Sequence, residues 1–397
     1  MKNITPTAEK IGIKKKMKSA LVIGHFGARN FGDDLMLASI CGILSDKDVH
    51  ITVFAKSDNI GDLIDRQSTY ISVLRRGSIF DIYSTMRKTD ILILGGGTHF
   101  QDNFRASRYV RSLVSLSRFL ALFTAARIMG VRIGWIGVGI GPARSLPTSV
   151  LIKICSMLTE QISVRDEASD RELRRLGIKR SRLGFDLVAL LQDIKPERKP
   201  VRGDRTLMGV SLFSAGQLQG DGVQTNGFWS TWKDAIEASF RKHETLYINL
   251  IVFLDLAGEL GDVDDLAEMH DRLARIDPDR VSMTQYTSTR KTLEAIASCD
   301  LFMAARYHSV ITAGLFGIPM IVAPYDRKVV DAALQIGLEK HAIMMPTSQE
   351  TLSDMTSRID EILYSPERFT PAMDRQEAFT LSRQNMDAVN ALLGGQE

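Results

Sequence analysis

The sequence predicts an α/β protein built from two doubly wound parallel sheets that face each other across a cleft. Three observations carry this. Short apolar runs alternate with stretches of helical period along the chain. The alternation stops at a polar, proline-bearing segment near 192–205 and then starts again. A length of 397 residues is too great for one ordinary core and suits two.

Residues 1–17 are polar and lysine-bearing and read as a loose arm. Ser19–Ile23 is an apolar run ending at a glycine, as a buried strand would be, and 33–45 has helical periodicity. His50–Phe54 and Asp90–Leu94 read as strands, the second ending in Gly95, Gly96 and Gly97. A long helix over 104–129, a strand over 132–138, a helix near 148–159, a strand at Gln161–Val164 and a charged helix over 166–176 follow. Beyond the polar break, Leu207–Leu212, Thr245–Phe253, Val281–Met283, Leu301–Ala304 and Met320–Ala323 read as strands with helices between them, and 374–392 as an amphipathic helix. The expected division is an arm (1–17), an N-terminal domain (18–191), a linker (192–205), a C-terminal domain (206–365) and a terminal helix (366–397).

Apolar residues make up 44% and charged residues 24%, a globular composition. A net charge of +3 gives no ground for nucleic-acid binding over the whole surface. The charge is unevenly placed: no acidic residue lies between Asp102 and Glu160, a stretch that carries seven arginines and Lys153. On a helix Arg108, Arg111 and Arg118 fall within about 80° of one face. Such a stripe is either a solvated basic face or a peripheral contact with an anionic membrane or a lipid-linked substrate. Cys41, Cys155 and Cys299 each sit in apolar patterns and are expected as buried thiols. No secretory signal and no run of about 18 uncharged apolar residues is present, so the expected location is cytoplasmic.

Six motifs each fall just after an expected strand, where ligands bind in open α/β sheets. The first, from Gly24 to Asp34, holds Gly27, Asn30, Gly32 and Asp33. Its glycines let backbone approach a ligand, and Asp33 or Asp34 is expected to cap the next helix. Its spacing is not the dinucleotide fingerprint. Gly96 and Gly97 form a second glycine turn, and Gly137, Gly139 and Gly141 a third that is either ligand-facing or a turn without ligand contact. Arg165 and Asp166 follow a strand; Arg165 is either an anion clamp or half of a surface ion pair. Arg306, Tyr307, His308 and Ser309 open a helix, with His308 a candidate acid/base. Lys328 ends the sixth, after Tyr325 and Asp326. No cluster has metal-ligand spacing, and neither metal nor cofactor is expected.

In this order the motifs resemble the polysaccharide pyruvyl transferase family over roughly residues 20–340: Asn30, Gly32 and Asp33; the triple glycine; Ser163 to Asp166; Arg306, His308 and Ser309 with Gly317 and Pro319; and Tyr325, Asp326 and Lys328. The resemblance implies two Rossmann-like domains in a fold similar to the GT-B glycosyltransferases. It also implies transfer of the pyruvyl unit of phosphoenolpyruvate to a saccharide as a ketal, in exopolysaccharide or cell-surface polysaccharide synthesis. Arg165, Lys328 and Arg306 are then expected to hold the donor, with Asn30, Gly32, Gly96, Gly97 and Ser309 also lining the site. His308 and, more weakly, Asp33 are expected to move protons. The N-terminal domain is expected to take the acceptor and the C-terminal domain the phosphoenolpyruvate. The rival readings are a GT-B glycosyltransferase using a nucleotide-sugar and a non-catalytic saccharide-binding protein.

Overall fold

In the computed structural model the apolar runs become strands of two parallel sheets. The structure describes residues 17–64, 70–77, 79–102, 106–191, 204–212, 226–256, 261–345 and 350–394. Most of the expected arm and of the expected linker lies outside the described residues, as do residues 213–225.

The first half contains β1 (Ser19–Ile23), α1 (Phe31–Ser45), β2 (His50–Ala55), β3 (Ile71–Arg75), α2 (Ile79–Met86), β4 (Ile91–Gly95), β5 (Thr98–Phe100), α3 (Ala106–Ile128), β6 (Arg132–Ile140), α4 (Leu146–Leu158), β7 (Gln161–Val164), α5 (Glu167–Arg175) and β8 (Arg182–Leu183). The second contains β9 (Thr206–Val210), α6 (Asn226–Lys242), β10 (Leu246–Ile251), α7 (Val263–Ala274), β11 (Val281–Thr284), α8 (Thr289–Ala297), β12 (Leu301–Ala304), α9 (Tyr307–Leu315), β13 (Met320–Val322), α10 (Arg327–Gln335), α11 (Leu352–Tyr364) and α12 (Arg375–Leu392).

The sheets run in the orders β3-β2-β1-β4-β6-β7-β8, with β5 beside β6, and β11-β10-β9-β12-β13. Strands such as β4 are buried along their whole length, which is why they read as unbroken apolar runs rather than as alternating ones. In each sheet the chain reverses its winding direction, between β1 and β4 and between β9 and β12. Loops leaving the carboxyl ends at such points form the ligand crevice of open α/β sheets.

The two halves meet through the loop after β1. Phe31 N donates to Phe253 O and Asp255 N to Arg29 O, both at 3.0 Å. Arg29 also pairs with Asp255. Phe31 is fully buried, edge-on to Phe253 at 5.2 Å; burial of such a ring stabilises by about 2–3 kcal/mol. Asn30, not Asp33 or Asp34, caps α1: its side chain accepts from Gly32 N at 3.1 Å. The helix therefore starts two residues earlier than expected. Asp34 lies inside its first turn and accepts a hydrogen bond from Tyr286 Oη of the second half.

The terminal helix α12 returns to the first half and packs on β6, β7 and β8. Arg132 donates to Leu392 O at 2.5 Å, and Gly134 leaves room for Leu392, whose Cδ1 would lie 2.2 Å from any added Cβ. The cysteines are free and buried. Among the described residues no helix is long and apolar enough to cross a membrane.

Candidate active site

Loops from both switch points converge on a cavity of about 170 Å³. Its lining includes Asn30, Gly32, Asp33, Gly97, Thr98, Gln101, Arg165, Arg306, Tyr307, His308 and Lys328. The structure thus brings together residues spread over nearly 300 positions of sequence, from both halves.

His308 stands in the first turn of α9 and meets α1 of the other half at Gly32. A Cβ on Gly32 would lie 1.8 Å from His308 Nδ1, so only glycine permits this approach. The other ring nitrogen, Nε2, is 3.6 Å from Asp186 Oδ2. Asp186 is fully buried and opens the short 3-10 turn Leu187–Leu190, accepting from Val188 N at 3.0 Å. Burial alone would raise its carboxyl pKa. His308, Arg165 and the Val188 amide outweigh that and hold it below the usual carboxylate range. A carboxylate behind an imidazole orients the ring. Sequence reasoning missed Asp186. The available signal was a single acid in an otherwise apolar run, Phe185 to Leu191, since a charge there must be paired to be tolerated.

Arg165 is not half of a surface pair: it is 3% exposed. Its guanidinium lies 3.9 Å over the Tyr307 ring and donates to Thr98 Oγ1 at 3.1 Å, with Asp166 at 3.4 Å and Asp186 at 3.8 Å. Gly139 makes room for it, since a Cβ there would come within 3.0 Å of Nη2. Asp166 caps α5, accepting from Ser169 N at 2.7 Å. Lys328, in the first turn of α10, is one-third exposed and near Tyr325 and Asp326. Burial lowers its pKa, but Tyr325 and Asp326 more than offset this, so it remains cationic.

Asp33 is half-buried and lines the cavity, and its pKa is raised to about 7. Desolvation is the main cause and the Asp34 and Asp186 charges add to it, while Arg165 and Lys328 oppose it. A carboxyl titrating near neutrality can both take and give a proton at working pH.

Two expected contacts are corrected, and the charge of a third is found to be paired. Ser309 is fully buried in the first turn of α9, where its hydroxyl accepts from Arg306 N at 3.1 Å and Ser211 Oγ at 2.9 Å. It builds the helix start and does not face the cleft. Gly96, at φ +47°, turns toward Met36, whose Sδ would meet a Cβ at 2.5 Å; it serves packing, whereas Gly97 lines the cavity. Arg306 reaches the cavity but pairs with the fully buried Asp262, so its charge is largely balanced before any anion arrives. The triplet Gly137, Gly139 and Gly141 lies in and just after β6 rather than in a tight turn.

A second cavity of about 310 Å³ adjoins the first, shares Thr98, Gln101, Arg165 and Lys328 with it, and is lined further by Gly139, Gly141, Arg144 and Glu172. No group of His, Cys, Asp or Glu among the described residues could hold a metal ion.

The fold is that of known sugar-nucleotide enzymes. The chain is similar to UDP-GlcNAc 2-epimerase from Methanocaldococcus jannaschii, at TM-score 0.61 and 13% identity over 96% of this chain and 100% of that one. It is likewise similar to a putative UDP-N-acetylglucosamine 2-epimerase from Listeria monocytogenes, at TM-score 0.62 and 9% identity over 96% and 98%. Such identities speak to the GT-B-type fold alone. No curated protein matches by sequence. The polysaccharide pyruvyl transferase family model matches residues 30–327, which run from the Asn30 cap through the His308 helix to the start of α10. On that match, the chain belongs to the polysaccharide pyruvyl transferase family.

Proposed function

We propose that the chain transfers the pyruvyl unit of phosphoenolpyruvate to two hydroxyls of a saccharide, forming a cyclic ketal in cell-surface or exopolysaccharide synthesis. The observation that carries this reading is a pair of cations, the buried Arg165 and the half-buried Lys328, facing two groups suited to proton transfer, His308 and Asp33. Phosphoenolpyruvate offers a carboxylate and a phosphate to such a pair. The first cavity suits this donor, and the wider second cavity suits the sugar.

In this reading His308, oriented by Asp186, delivers a proton to the methylene carbon of the donor. Positive charge develops at C2, and Asp33 accepts the proton of the sugar hydroxyl that attacks there. The C2–O bond to phosphate breaks, and a second hydroxyl closes the ketal. One hydroxyl proton ends on the new methyl group and the other on phosphate. His308→Ala should abolish phosphate release from phosphoenolpyruvate across a panel of nucleotide-linked and lipid-linked sugars, while donor binding largely persists. Turnover near that of the parent, or release of nucleotide from an activated sugar in place of phosphate, would overturn the proposal.

A further inference from the structure

We infer that the outer face of α3 and α4 is a docking surface for an anionic lipid bilayer. These helices pack side by side over the first sheet, and both leave large apolar side chains in solvent. On α4 the exposed residues Leu146, Val150, Ile154 and Met157 fall with Lys153 within about 100° of one face. Leu146 is 76% exposed and Met157 80%. On α3 the exposed Val110, Val114, Arg118 and Ile128 lie within about 80° of one face, with Arg111 beside them. Contiguous apolar surface of this kind marks an interaction site rather than chance exposure.

Charge selects the partner. Neither helix contains an Asp or Glu, and none occurs anywhere from 103 to 159. Arg127 and Arg132 are paired with Glu160 at the far end of α3, whereas Arg111, Arg118 and Lys153 stand exposed among the apolar residues. Interleaved apolar and basic side chains, with no acid to repel phosphates, match an anionic leaflet. The side chain of Arg108 lies outside the described residues and is not needed for this surface.

The face also begins at the cleft. Ser145, which caps α4, is fixed by Asp102 through its amide at 2.6 Å and hydroxyl at 2.8 Å. Arg144, directly before it, lines the second cavity. A bilayer seated on α3 and α4 would therefore lie beside the mouth of that cavity.

The test is co-sedimentation of the full chain with vesicles of phosphatidylcholine, with and without phosphatidylglycerol. The chain should bind only the anionic vesicles. Arg111→Ser/Arg118→Ser/Lys153→Ser should weaken partitioning by on the order of 100-fold, at about fivefold per basic residue. Leu146→Ser/Met157→Ser should weaken it by at least about tenfold. Circular dichroism and melting should be unchanged in both, because every substituted residue is exposed. Equal binding to neutral vesicles, no binding to either, or variants that bind like the parent would overturn the proposal. So would a dimer in sedimentation velocity that the same substitutions dissociate. Vesicle binding is read without turnover, so its outcome is separate from that of the donor assay.

Discussion

Gly32→Ala adds one methyl group and should disable the site without unfolding it. The new Cβ would lie 1.8 Å from His308 Nδ1, 2.3 Å from Cγ and 2.4 Å from Cε1, whereas ordinary contact begins near 3.4 Å. The ring must therefore retreat by about 1.6 Å, the difference between the first and last of these distances. It has little freedom to do so, because Asp186 lies 3.6 Å away on its other side and the Tyr307 ring packs edge-on at 5.0 Å. Displacing a catalytic group by about 1 Å costs roughly 100-fold in rate, or about 3 kcal/mol of barrier. Phosphate release from phosphoenolpyruvate should fall by at least that factor. Gly42→Ala on the same helix is the control: nothing lies within 4 Å of its added Cβ. It should gain about 0.5–1 kcal/mol of stability from helix propensity and keep full activity. If Gly32→Ala behaved like Gly42→Ala in both melting and turnover, the contact between α1 and His308 would not be part of the working site.

Two further substitutions probe the charges of the cavity. In Asp33 the folded pKa, about 7, stands above the ordinary 3.8. Its ionisation therefore destabilises the fold progressively as pH rises through that range. Asp33→Asn should match the parent in denaturant unfolding near pH 4 and exceed it by up to about 4 kcal/mol near pH 8; a pH-independent difference would remove the case for a perturbed carboxyl. Asp186→Asn should lower kcat about 100-fold with little change in KM for phosphoenolpyruvate, as expected of a residue that positions the histidine; an effect confined to KM would place Asp186 in donor binding instead.

The strands buried on both faces were legible because their composition is uniform. Leu301–Ala304 runs between the same residues in sequence and structure, and Ser19–Ile23 does too. The edge strand β3 was not legible: none of its residues is buried, Ser72 and Arg75 are exposed, and two arginines follow Leu74. In the site, glycines and charges after strands marked loops that line one cavity, since parallel sheets present those loops to one side. What the sequence could not show was pairing at a distance. Arg306 looked free because Asp262 lies 44 residues away, and Asp186 looked ordinary because nothing local announces that His308 and Arg165 will close over it. Ser309 resembled a ligand contact because a helix-start serine and a substrate-binding serine have the same local sequence.

The return of α12 to the first half changes what counts as a module in this chain. Ser382 donates to Asp186 O at 3.0 Å and Asn385 to Phe185 O at 2.9 Å. The last helix thus grips the backbone that presents the acid behind His308. The first half is then not the segment that ends near 191 but that segment together with 375–392. A cut placed between the two sheets would strip β6, β7 and β8 of their cover and loosen Asp186. Exchanging halves between relatives to alter the acceptor would therefore require two crossovers, one on each side of the second sheet.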